Sequence, residues 1–443
     1  MKPIKTALWG FLLLLTAAWF MADSFPQTLG WFAWRPALVQ LSGVLAIGVM
    51  SLAMLLALRP AWLEKRLNGL DKMYRLHKWL GITALSTGIF HWWWAQGTKW
   101  MVGWGWLIKP ERKPKPAVEG DWYAQLLQDW HGPAEVVGEW AFYAAVVLLV
   151  LALIKRFPYR IFAKTHTILA VLYLLLAWHS FVLIRQSYWA QPVGWITALL
   201  LIAGTIAAFL ILFRRIGHGR KVKGHVAALE QDRENETLTV ELELESGWAG
   251  HEAGQFVFVT TDPKEGAHPY TIASAWDAAK KRITLMVKAL GDHTRELPET
   301  LRVGHAVRVE GPYGCFTFDG PEKRQIWIGA GIGITPFLAR MQQLRAQPDG
   351  RAIDLFHPTS AAAQATLDQI ESDARAVRVT PHTLISPRDG FLTGEKIRAA
   401  VPDWKNASIW FCGPAGFGKA LRDDFIAQGF SPAAFHQELF EMR

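Results

Sequence analysis

Four histidines, His77, His91, His166 and His179, each lie inside an apolar stretch of helical length. They form two pairs, fourteen residues apart in the first and thirteen in the second. At about 1.5 Å rise per residue, either spacing separates the two side chains by roughly 20 Å along a helix axis. That span suits two haems hung between neighbouring helices, one near each face of a bilayer. Neutral imidazole binds haem iron well, and two axial imidazoles saturate the iron for electron transfer rather than oxygen binding. A histidine inside hydrocarbon is costly and rarely idle. One alone would read as a cross-helix hydrogen bond; two matched pairs read as two bis-histidine sites.

Six apolar segments position them, near residues 7–21, 38–58, 73–95, 136–154, 161–184 and 193–213. Each spans or nearly spans a bilayer, which takes about 20 residues. The first follows Lys2 and Lys5 and reads as an uncleaved helix rather than a signal peptide. Most Lys and Arg between segments fall on one side, so the positive-inside rule places the N-terminus and the soluble half in the cytoplasm. Segments three and five then run the same way, which sets His77 level with His166 and His91 level with His179. Fourteen residues leave the first pair about 40° apart around an ideal helix, and thirteen leave the second about 140° apart. The phase therefore predicts a wide turn or kink between Ile168 and Trp178. Tryptophan runs such as 92–94 and 100–106 fall at the outer interface as an aromatic belt. His131, beside Gly132-Pro133, reads as a surface residue.

The 443 residues carry a formal charge of +9, but the basic residues cluster at the ends of apolar segments. They form no groove-like array with interleaved aromatics, which excludes a nucleic-acid partner. Cys315 and Cys412 make neither a disulfide framework nor a metal site, and fit a reducing compartment.

Beyond Arg214 the chain becomes an ordinary soluble sequence. Residues 238–244 and 283–289 alternate and 255–260 is a buried-type run, which predicts a small antiparallel barrel. Within it, His268-Pro269-Tyr270-Thr271-Ile272-Ala273-Ser274 offers a ring and a hydroxyl that could face a flavin. Lys288, Gly291 and Thr294 offer a cation and amides for a pyrophosphate. From Arg324 the pattern turns to strand, glycine loop and helix. Ile326–Ile328 enters Gly329-Ala330-Gly331-Ile332-Gly333-Ile334-Thr335-Pro336, and residues 337–344 continue as a helix. Such glycines let backbone amides approach a phosphate at a helix N-terminus. The loop departs from the G-x-G-x-x-G fingerprint. A later strand, 407–411, leads into Cys412-Gly413-Pro414, at the edge where open α/β sheets bind ligands.

Taken together, these residues resemble the ferric reductase and NADPH oxidase superfamily over essentially the whole chain. The resemblance implies a multidomain membrane protein: a six-helix transmembrane dihaem bundle (1–216), a β-barrel FAD-binding domain (217–322) and an α/β NAD(P)-binding domain (323–443). It implies that His77, His91, His166 and His179 ligate two haem b groups. His268, Pro269, Tyr270, Thr271 and Ser274 would cradle FAD, with Lys288, Gly291 and Thr294 near its phosphates. Gly329, Gly331, Gly333, Thr335, Pro336, Gly413 and Pro414 would hold NAD(P)H. Thr271, Cys412 near the nicotinamide, and Phe440 over the flavin face would be the catalytic group. After strand 353–356 the family often carries an arginine for the NADPH 2′-phosphate; here His357-Pro358-Thr359-Ser360 follows, so neither nucleotide is singled out. Family oxidases often have a second histidine four residues past the outer ligand, where this chain has Ala95.

The expectation is an integral protein of a bacterial inner membrane with a cytoplasmic dehydrogenase. It would move electrons from NAD(P)H to oxygen on the outer side, or alternatively to ferric iron or a periplasmic partner protein. A haem redox sensor without turnover would leave the dehydrogenase unexplained. Oligomeric state is not encoded in any motif.

Overall fold

The computed structural model describes residues 2–108, 121–154, 159–232, 234, 236–360 and 364–438. Two compact units emerge, one from residues 1–63 and 72–216, the other from 64–71 and 217–442.

The first unit is helical: α1 (Lys2–Ala22), α2 (Trp31–Ala57), the short α3 (Ala61–Arg66), α4 (Leu70–Gly103), α5 (Trp122–Leu153), α6 (Tyr159–Leu183) and α7 (Pro192–Leu212). In a bilayer every backbone polar group must be satisfied within the segment, and uninterrupted apolar helices do so. Asp121 starts α5 by accepting from the amides of Tyr123 (3.0 Å) and Ala124 (3.1 Å). Pro192 occupies the first turn of α7, where its missing N–H costs nothing.

Among the described residues, five helices, α1, α2, α5, α6 and α7, are long and apolar enough to cross a membrane. Helix α4 differs from the expectation. It has 34 residues but lacks comparable apolarity, because Lys72, Arg75, Lys78, Gln96 and Lys99 interrupt it along with its histidines. The wide turn expected in α6 is absent: the α-helix is unbroken from Tyr159 to Leu183. Imidazoles hang on two rotatable bonds, so the rings converge on α4 without a backbone adjustment.

The second unit holds two sheets and includes the short segment 64–71. The Glu64 carboxylate, buried, accepts from the Gly314 amide (2.8 Å) and from Arg220 (3.0 Å). The first sheet contains β1 (Lys221–Asp232), β2 (Thr237–Leu244), β3 (Phe256–Thr260), β4 (His268–Thr271), β5 (Arg282–Lys288) and β6 (Ala306–Tyr313). Its order is β4-β3-β6-β1-β2-β5, with every pair antiparallel. Just past β4, Ile272 bridges Leu285 of β5, which joins the two edge strands at one end. Alternating side chains such as Val226, Leu242, Val257 and Ile283 bury the inner face. Helix α8 (Asp292–Thr300) follows β5.

The second sheet contains β7 (Arg324–Gly329), β8 (Ala352–Thr359), β9 (Val379–Ile385), β10 (Ala407–Cys412) and β11 (Phe435–Gln437). All pair in parallel in the order β11-β10-β7-β8-β9. Helices α9 (Thr335–Ala346), α10 (Gln364–Ala376), α11 (Ser386–Asp389), α12 (Gly394–Ala400) and α13 (Ala415–Ala427) make the connections. The chain reverses its direction of build between β7 and β10, and such a switch point is where open α/β sheets bind ligands. Strand β8 runs three residues further than expected. His357, Pro358 and Thr359 pair with Thr383, Leu384 and Ile385, so the first residue beyond the strand is Ser360. Cys412 likewise closes β10 rather than following it.

Candidate functional site

Helices α4 and α6 bring the four histidines together in the expected pairs. The rings of His77 and His166 stand 5.8 Å apart between centroids at 62°, and those of His91 and His179 6.3 Å apart at 84°. Two imidazoles bound to opposite sides of one iron, each through a bond of about 2 Å, would have centroids about 6 Å apart. Both pairs fit that spacing.

The remaining ring nitrogens are oriented by backbone carbonyls, which can only accept. Nδ1 of His77 donates to Ala53 O (3.0 Å) and Nδ1 of His91 to Val39 O (3.0 Å), both on α2. Nδ1 of His179 donates to Ala134 O on α5 (2.7 Å). This tautomer leaves the Nε2 lone pair for a metal, the usual arrangement of a ligating histidine. His166 is the exception, since its buried Nδ1 has no partner among the described residues.

Two glycines shape the outer pair. A Cβ on Gly138 would fall 2.0 Å from His179 Nδ1, and one on Gly43 would fall 3.3 Å from His91 Cε1. Glycine inside a helix costs about 0.5–1 kcal/mol relative to alanine, and close approach of the imidazole accounts for it here. A cavity of about 500 Å³ opens beside His91 and His179, in the size range of cofactor sites, lined by Gly43, Gly88 and Gly138. Arg35, Lys99, Glu135 and Glu139 also border it. Glu139 accepts from Tyr143 (2.5 Å) and Gln96 (3.0 Å), and Trp92 Nε1 donates to the Tyr143 hydroxyl (3.1 Å). Sequence reasoning missed this network; the readable signal was Glu139, the acidic residue deepest in the apolar helix α5.

In the first sheet of the second unit, β4 carries His268–Thr271 as an edge strand against β3. His268 stacks on His293 of α8, with 3.9 Å between centroids and 11° between planes. The contact sets β4 beside the N-terminus of α8, where Gly291 and Thr294 lie. Burial lowers the His268 imidazole to about 4, with His293 adding like-charge repulsion, and burial lowers His293 as well. Glu265 joins them, with ligand atoms of all three within 4.8 Å of one another. Parallel stacked rings direct their lone pairs side by side and cannot both bind one metal ion, so this trio does not make a metal centre. Tyr270 packs on the sheet core, and its buried hydroxyl has no partner among the described residues. That orphaned donor fits a flavin nucleotide oxygen.

Two expected contacts have other work. Thr294 Oγ1 accepts from the amides of Leu290 and Gly291, both at 3.0 Å, and so caps α8. Ser274 Oγ accepts from the Thr284 amide (3.0 Å), and the Ser274 carbonyl accepts from His251 (2.9 Å). Lys288 ends β5 opposite Thr237.

At the switch point, two loops interlock. A Cβ on Gly333 would meet Cys412 O at 2.2 Å, and one on Gly413 would meet Ala330 Cβ at 2.7 Å. The Ala330 amide donates to Cys412 O (2.9 Å), and Thr335 Oγ1 to Ile332 O (2.6 Å). Gly331 sits at φ +55° with open space beside it, so its backbone is the exposed part of the turn. Pro336 opens α9 and Pro414 precedes α13, aiming two helix N-termini at the same edge. His357, buried in β8, donates from Nδ1 to Gly329 O (2.6 Å) and fixes the start of the loop. The Cys412 thiol is buried in the apolar core, and burial raises its pKa, so it stays neutral. Phe440 lies outside the described residues.

Residues 42–177 match the family described as ferric reductase like transmembrane component, and residues 223–317 match the family described as FAD-binding domain. The chain has the architecture of the ferric reductase and NADPH oxidase superfamily. The chain thus joins a ferric-reductase-like transmembrane component to an FAD-binding domain. Among curated relatives, the stachydrine N-demethylase reductase subunit of Rhizobium meliloti is 28% identical over 43% of the chain and 58% of its own length. The NADPH oxidoreductase of Mycobacterium tuberculosis is 26% identical over 47% and 57%, and the flavohemoprotein of Pseudomonas aeruginosa 25% over 51% and 60%. The chain therefore spans less than two thirds of these relatives. Among solved structures, the flavohemoglobin of Malassezia yamatoensis aligns over 92% of this chain and 96% of its own, at 16% identity and a TM-score of 0.47.

Proposed function

We propose that this protein carries electrons from cytoplasmic NAD(P)H across the membrane to oxygen on the outer side, releasing superoxide. The two facing histidine pairs, at 5.8 and 6.3 Å, carry the reading. They would hold an inner haem b (His77, His166) and an outer one (His91, His179) in a six-span bundle that includes α4. When bound, FAD would accept a hydride and yield electrons singly, and the haems would take them one at a time.

The chain's own residues position and select. Carbonyls of Ala53, Val39 and Ala134 hold three ligand rings in one tautomer. Residues 217–322 would hold FAD along β4 and the α8 N-terminus, with His268, Tyr270 and Lys288 facing it. Residues 323–443 would hold NAD(P)H over Gly331 and the α9 and α13 N-termini. Pro269 and Thr271 alternate with Tyr270 along β4, and their backbone would border the flavin at this edge. Arg35 and Lys99 border the outer cavity together with Glu135 and Glu139, and Lys99 pairs with Glu135 at 3.8 Å, so the charge around the acceptor is mixed.

A second reading, ferric reduction, draws on Glu135 and His131 at the same cavity, which could engage a cation. Purified protein loaded with haem and FAD should oxidise NADH or NADPH with superoxide-specific signal exceeding ferric reduction. The reverse ranking would favour the metal reductase, and no turnover with any acceptor would point to a sensor.

A further inference from the structure

The tryptophan runs of α4 are more than a belt. Trp92 borders the cavity beside His91 and His179. Its ring stands 5.0 Å from Trp100, Trp100 stands 6.5 Å from Trp104, and Trp104 stands 4.9 Å from Trp106. The first two are half-buried, whereas Trp104 and Trp106 are 58% and 71% exposed. Four indoles at contact distance thus lead from the outer cavity to the surface. Electron exchange between rings falls off steeply with distance, so contact-range steps are fast. Indole is also among the most readily oxidised side chains. At the cavity end, Trp92 Nε1 donates to Tyr143, which donates to Glu139. That carboxylate stabilises positive charge on the Trp92 ring.

We propose that Trp92, Trp100, Trp104 and Trp106 form a hole-transfer chain that carries peroxide-derived oxidising equivalents out of the outer pocket. The inference rests on the reading that electrons leave at this pocket. Superoxide dismutates to peroxide, and one electron delivered there splits the O–O bond to hydroxide and hydroxyl radical. The radical takes one electron from Trp92 and becomes a second hydroxide. Trp92 recovers that electron from Trp100, Trp100 from Trp104, and Trp104 from Trp106. Trp106 gives its N–H proton to water. Its neutral radical is restored by a one-electron, one-proton donor such as ascorbate, or combines with superoxide and a proton to leave a tryptophan hydroperoxide.

The test uses detergent-purified holoprotein reduced with dithionite, desalted to remove the excess, mixed with hydrogen peroxide in air-saturated buffer without ascorbate, and mapped by peptide mass spectrometry. Reduction by dithionite bypasses the dehydrogenase, so failure of the NAD(P)H reading leaves this experiment intact. Oxygen addition at Trp104 and Trp106 should exceed that at Trp140 and Trp195 several-fold, although these are 69% and 60% exposed. Trp100→Phe should cut labelling at Trp104 and Trp106 several-fold and raise it at Trp92, with faster loss of haem absorbance. Trp104→Phe should spare Trp106 alone. Labelling that follows exposure, or that Trp100→Phe leaves unchanged, overturns the chain and returns these residues to membrane anchoring.

Discussion

The backbone of Gly138 lies so close to His179 that a single methyl group there would sit 2.0 Å from the imidazole Nδ1. Helix α5 therefore fixes this ring twice, by that contact and by the hydrogen bond from Nδ1 to Ala134 O. The outer histidine is held by two residues one helical turn apart on a neighbouring helix.

Gly138→Ala should push the His179 ring off its position while leaving the inner pair intact. The expected preparation holds about half the parent's haem, with unchanged FAD content. Pyridine haemochrome assay against flavin fluorescence gives the ratio, and full haem content would mean the ring tolerates the methyl.

His91→Ala removes one member of the outer pair without touching the second unit. NAD(P)H should still bleach the flavin at the parental rate, while reduction of outer acceptors falls by orders of magnitude. Low-temperature spectra showing two unaltered haems would sink the assignment of His91 as a ligand.

Gly333→Ala places a Cβ 2.2 Å from Cys412 O, a backbone atom that cannot swing aside. Overpacking of this kind costs about 1–3 kcal/mol. Because the displaced loop is where NAD(P)H is proposed to bind, KM should rise at least tenfold with FAD retained. A parental KM would separate the interlock from nucleotide binding.

His268 is pushed down to about 4 by burial and by His293, and His293 is lowered by burial too. Between the ordinary imidazole value of about 6.5 and that lowered value, the unfolded chain binds protons that the folded chain does not. Stability present above about 6.5 is therefore lost as pH falls through this window. Calorimetry of flavin-free protein should show Tm falling from neutral pH towards 4, and His268→Gln should flatten the decline. Parallel profiles for the two proteins would remove His268 from the account.

Much of this arrangement was legible in the sequence because it follows from periodicity. Apolar length located α1, α2, α5, α6 and α7, alternation located β2 and β5, and the glycine loop announced the turn between β7 and α9. What stayed hidden was relational. Nothing local marks Ala53, Val39 and Ala134 as carbonyl partners, since any backbone offers the same group. The phase argument for His166 and His179 failed because it treated imidazoles as rigid spokes, whereas their rotamers absorb the mismatch within an unbroken helix. Strand β8 was cut short at Phe356 because His357-Pro358 reads as a turn, yet as an interior strand its register with β9 holds through Thr359. Thr294 and Ser274 have residue types that suit a ligand, and their hydroxyls also accept from backbone amides, which no local pattern announces.

The orphaned Nδ1 of His166 gives the two histidine pairs unequal mechanical character. Three rings are anchored to carbonyls, and the fourth lacks that anchor and rests on the Phe162 ring stacked 4.9 Å away between centroids. Ring rotation changes how an imidazole's π orbitals overlap a metal, so two sites with the same ligand types need not share a spectrum. A pair anchored at only one ring should give the broader magnetic resonance signal, which labels the depth of each centre without any mutation.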